Sequence, residues 1–221
     1  ELLWRERRVD DTGPEAAHSY IRGLLSHARF DEAISVFRAD PLPEEIAQAA
    51  QRDILARLAR DARNVTFLKH MMPGASRDLH PQDRAQARIV AARLIENGLP
   101  DAALYHLQAQ PRSPAEEERV LMARALVGLS RLPEAEEMLL GVDGQEAQEL
   151  RAEIREKLGD YAYAAEAFDR LGAAGDAQRA AWLGREWDAL KGTDDPLLAE
   201  VAIMATTAPA PPARPQDPPR L

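Results

Sequence analysis

The strongest constraint on this chain is a short segment that recurs. Arg29-Phe30-Asp31-Glu32-Ala33 resembles Gly98-Leu99-Pro100-Asp101-Ala102, Arg131-Leu132-Pro133-Glu134-Ala135 and Asp160-Tyr161-Ala162-Tyr163-Ala164. Each has a large apolar residue, two residues that start a helix well, then an alanine. Four residues after each alanine stands a bulky side chain: Phe37, His106, Leu139 and Phe168. A small alanine lets two helices approach closely, and the bulky group one turn later fills the gap to the next pair. The alanines lie 69, 33 and 29 residues apart. The first interval is close to two units of about 34 residues. One degenerate unit is therefore expected between them, with helices over Glu44–Ala62 and Val65–Met72. A helix pair cannot bury both its faces alone, so such pairs stack.

Composition agrees with an all-α chain. Among 221 residues there are 41 Ala and 27 Leu, against 8 Val, 8 Ile and 5 Thr. The first two are strong helix formers, whereas β-branched residues favour strands. Apolar residues recur at helical spacing in Pro14–Ala28, Asp31–Arg38, Glu44–Ala62, Pro81–Glu96 and Asp101–Ala109. Ser113, Pro114 and Glu116 read as a capping box that opens a helix reaching Leu129. Glu134–Leu140, Gln145–Leu158, Tyr161–Leu171, Asp176–Leu190 and a last helix from Pro196 to near Ala205 follow. The connections are short, which predicts antiparallel neighbours.

With these residues in place, the chain resembles the tetratricopeptide-repeat proteins, stacks of helix–turn–helix units of about 34 residues. The second-helix half of the motif stands in the four segments above. The first-helix half is best kept as Leu183-Gly184-Arg185-Glu186-Trp187. Ala123 and Leu126 fit its small and large positions, whereas Ile21 and Val90 replace the small one. Other helical-hairpin repeats share these features. The resemblance implies a right-handed α-solenoid of about five degenerate repeats over residues 14–207. Residues 1–13 form a lead-in, and residues 208–221 a proline-rich, disordered tail or linker.

The charge balance bounds function. Asp and Glu number 37 and Lys and Arg 28, a net charge of -9, which counts against a general nucleic-acid binder. With no cysteine, disulfides, thiolate metal sites and cysteine nucleophiles are excluded. No HExxH, GxSxG, P-loop or dinucleotide-binding turn is present, so neither an enzyme nor a cofactor is expected. The five histidines lack metal-ligand spacing. His70 beside Met71 and Met72 reads as a helix end, and His106 as a packed, hydrogen-bonded ring.

Binding of a protein or peptide is the function the resemblance implies, on a groove lined by the first helices. There one position recurs as Arg22, Ala91, Arg124, Glu153 and Arg185. Arg22, Arg124 and Arg185 are candidates for a basic stripe that suits carboxylates. The opposing reading makes them solvated or paired with neighbouring glutamates. The family's carboxylate clamp also uses lysine and asparagine, which this stripe lacks. Trp182 and Trp187 read as core and cap, with Trp187 kept as a candidate partner contact. Three roles are expected: an interaction scaffold, an assembly or secretion chaperone of the same fold, or a spacer in a larger envelope-anchored protein. The Arg-rich, Lys-poor composition suggests a bacterial source. A start at Glu1, with Trp4 beside Arg5, Arg7 and Arg8, leaves open a packed lead-in or the water-side end of a membrane anchor. The start at Glu1 and the proline-rich tail favour the periplasm, with the cytoplasm as alternative.

Overall fold

The computed structural model describes residues 13–39, 41–75, 79–109 and 113–207. The expected lead-in, all but Gly13, and the proline-rich tail lie outside them. Among the described residues the regular structure is helical and there is no strand. The residues cluster into two units, divided between Val142 and Asp143.

The first unit holds α1 (Gly13–Ser26), α2 (Phe30–Ala39), α3 (Glu44–Asp61), α4 (Asn64–Met71), α5 (Arg84–Glu96), α6 (Pro100–Gln108), α7 (Glu116–Gly128) and α8 (Leu132–Leu139). Each helix packs on its successor within four hairpins. In addition α1 packs on α3, α3 on α5 and α5 on α7, so the first helices of successive hairpins touch. Ile21, Ile54, Leu58, Phe67 and Leu94 of this unit are fully buried. The degenerate unit expected from the sequence is present as α3 and α4.

The second unit holds α9 (Gln145–Lys157), α10 (Tyr161–Arg170), α11 (Ala174–Gly184), α12 (Trp187–Leu190) and α13 (Pro196–Thr207), each packed on its neighbour in sequence. One cluster of its core is mostly alanine, with Phe168 and Leu190 as the large members, and Leu150 and Ile154 of α9 are buried as well. Small side chains there let the helices come close.

One backbone turn explains the repeated segment. The amide of Arg29 donates to the carbonyl of Leu24, Leu99 to Leu94, Arg131 to Leu126 and Asp160 to Arg155. This six-residue closure satisfies a helix's last carbonyls and reverses the chain. The residue before each donor is left-handed: Ala28, Gly98, Ser130 and Gly159. The same closure ends α10, from Ala173 to Phe168, and α11, from Glu186 to Ala181. Aligned on this turn, Ala103 and not Ala102 is the counterpart of Ala33, Ala135 and Ala164. Leu107 then replaces His106 at the bulky position. In the preceding helices Ala91, not Val90, matches Ala123, beside Ala152 and the exception Ile21. All four are fully buried.

Two further expectations are corrected. Glu118 accepts from the amide of Ala115 at 2.9 Å, so α7 begins after Ser113 and Pro114, not at them. Asp176–Leu190 is not one helix. It breaks at Arg185, a left-handed residue between α11 and α12. There the amides of Arg185 and Glu186 both reach the Ala181 carbonyl, and the left-handed Arg185 turns the chain out of the helix.

Candidate functional site

In the first unit the exposed face of the first helices carries charges of both signs. On α1, Arg22 Nε lies 3.7 Å from Asp53 of α3, and His18 Nε2 lies 3.0 Å from the same carboxylate. Ser19, Arg22, Asp53 and Arg57 line an open cleft of about 480 Å3 there. Further along, Arg88 of α5 meets Glu117 of α7 at 3.1 Å, and Arg84 reaches the buried Glu118 at 3.6 Å. Arg124 is exposed on α7. Turn alignment gives this face Arg22, Ala92 and Arg124 as equivalent positions. Arg22 is therefore one end of an inter-helix ion pair, with an aspartate where the paired reading had glutamates. Surface pairs of this kind contribute on the order of 0–1 kcal/mol each and mainly set register.

Arg185 does not occupy a groove position. It belongs to the second unit and ends α11 in the left-handed conformation, so it is outside any helix face. The sequence motif placed it on a first helix because Gly184 fits the small position. In the structure Gly184 is required for another reason. A Cβ there would lie 2.7 Å from the Cβ of Tyr161 at the start of α10. Trp187 is half-buried and packs against the core, while Trp182 presents an exposed face; their rings meet edge-on at 5.4 Å.

Of two polar clusters, the one on Asp31 was not legible in the sequence, whereas the packed, hydrogen-bonded His106 was expected from it. Asp31 of α2 receives His70 Nε2 at 2.7 Å and Lys69 Nζ at 2.9 Å, both from α4. Those two bonds, Lys69 first, hold its carboxyl below the usual carboxylate range. His106 is buried, and its Nε2 donates to the Met71 carbonyl at 2.8 Å. Its Nδ1 has no partner, and the ring stacks on His80 at 5.4 Å. Burial pushes its pKa down, so the ring is neutral and structural at pH 7. Among the described residues no group of three or more His, Asp or Glu is placed to hold a metal, and no helix is long and apolar enough to cross a membrane.

In comparisons with known proteins, no family model, no curated protein and no solved structure matches the chain.

Proposed function

We infer that this protein is a non-catalytic, tetratricopeptide-like α-solenoid scaffold, which holds a protein or peptide partner on the first-helix face of residues 13–142. The reading rests on the succession of first helices, α1 on α3 on α5 on α7, and on the ion pairs Arg22–Asp53 and Arg88–Glu117 that run between them. Stacked hairpins use such a face for binding. Its charges alternate in sign, Arg22 with Asp53 and Arg88 with Glu117, which favours a partner of mixed charge over a purely acidic tail. The charged character also favours a scaffold over a chaperone that clamps apolar segments.

The test is affinity capture from a lysate of the source organism, with the full chain and its Arg22→Glu/Arg124→Glu variant as parallel baits. Loss of one defined partner with the variant is the expected outcome. Equal retention would move the site to another surface, and no partner with either bait would favour the spacer role.

A further inference from the structure

The second unit carries a different surface. Residues 143–207 hold 14 acidic and 7 basic side chains, so most of the chain's net negative charge resides there. Within this unit α10, α11 and the segment through α12 to Asp194 enclose an open groove of about 520 Å3. Its floor is small and apolar: Ala165, Ala177 and Ala181, with Leu190 at one side. Its rim carries Glu166, Asp169, Glu186 and Asp194, and no basic side chain of the described residues lines it. Glu166 faces Arg170 at 3.9 Å. The other three carboxylates stand exposed, and among the described residues no basic side chain is found paired with them.

An alanine floor supplies little area of its own, so a partner must bring the bulky apolar groups. A rim of one sign then selects their flanks. Like-charge repulsion disfavours acidic peptides and anionic lipid surfaces. A second copy of this chain is disfavoured in the same way, because its own groove rim is acidic.

We propose that this groove docks a basic amphipathic helix, one that lays large aliphatic side chains on the alanine floor and places Arg or Lys against Asp169, Glu186 and Asp194. This is the helix-in-groove mode of recognition. It is a site separate from the first-helix face of residues 13–142 and does not rest on the scaffold reading.

The experiment is fluorescence anisotropy with the full chain and a labelled 18-residue helical peptide of Leu, Ala, Lys and Arg. A Glu-for-Lys/Arg version and a version with Leu replaced by Ser serve as controls. The basic amphipathic peptide binds and both controls do not. Asp169→Asn/Glu186→Gln/Asp194→Asn weakens binding about tenfold, as several partly exposed ion pairs would. Ala162→Phe, at an exposed position on the groove wall, blocks it without disturbing the core. Neutralising Asp143, Glu149 and Glu153 instead leaves affinity unchanged. An equal loss from those three would overturn the proposal, since attraction would then be diffuse. So would binding that survives Ala162→Phe or the Leu-to-Ser control. A gain in affinity on removing residues 208–221 would overturn it in favour of the chain's own tail as occupant.

Discussion

Arg93 does for α3 what the six-residue turn does for its neighbours. α3 ends at Asp61 with Ala62 in an extended conformation, so its last carbonyls are not closed by a left-handed turn. The guanidinium of Arg93, from α5 of the next hairpin, donates instead to the carbonyls of Leu58 and Ala59 at 2.6 Å each, to that of Ala62, and to Asn64 Oδ1 at 3.1 Å. It also lies 4.6 Å over the Phe67 ring. Arg93→Met keeps the aliphatic stem and removes the cap. Buried carbonyls left unpaired cost about 1–3 kcal/mol. The lost cation at a helix C-terminus adds about 0.3–1 kcal/mol. The ring contact adds about 0.5–1 kcal/mol. Together these give a destabilisation of about 3 kcal/mol. Native-state hydrogen exchange is the suitable assay, since a chain of two units need not unfold in one step. Amides of α3 and α4 are expected to lose about a hundredfold in protection. Arg93→Lys should recover less than half, because an ammonium presents its donors from one point and cannot span four acceptors. A loss below about 0.5 kcal/mol, or one spread evenly over all helices, would refute the argument.

Gly184→Ala should destabilise the second unit by about 1–3 kcal/mol, because α11 must move off Tyr161. Urea unfolding checks it, and a double-mutant cycle with Tyr161→Gly should show strong coupling; a neutral Gly184→Ala would sink the idea. For His106 the unfolded chain takes up a proton near pH ~6.5, whereas burial keeps the folded ring neutral to lower pH. Its contribution is thus fully present above that pH and declines as pH falls toward the lowered folded value. His106→Leu should flatten the dependence of stability on pH between about 7 and 5, measured by urea midpoints, and an unchanged slope would count against the buried neutral ring.

Much of the helical plan is legible in the sequence, because apolar spacing and Ala/Leu enrichment are local signals. Among the described residues, eleven of the thirteen helices fall within a few residues of their expected spans. Register is less legible. Ala102 and Ala103 are both buried alanines, and periodicity cannot choose between them, whereas the amide of Leu99 bound to the Leu94 carbonyl does. The break at Arg185 was hidden for a related reason. Arginine is an unusual left-handed residue, at a cost of about 1–2 kcal/mol, so nothing in the local sequence marks a turn there. Of the candidate partner contacts, Arg22 and Arg124 stand on exposed first-helix faces, while Arg185 does not.

Local residue patterns dictate the class of element and its recurrence: helices, paired by short turns, with small residues where pairs touch. Those properties depend on residues close in the chain. Tertiary structure decided which charges face one another and where the boundary falls. Arg22 meets Asp53, Arg93 closes a helix some thirty residues away, and the two units divide after Val142. These outcomes depend on side chains brought together across hairpins, where burial and distance, not local pattern, set the energies.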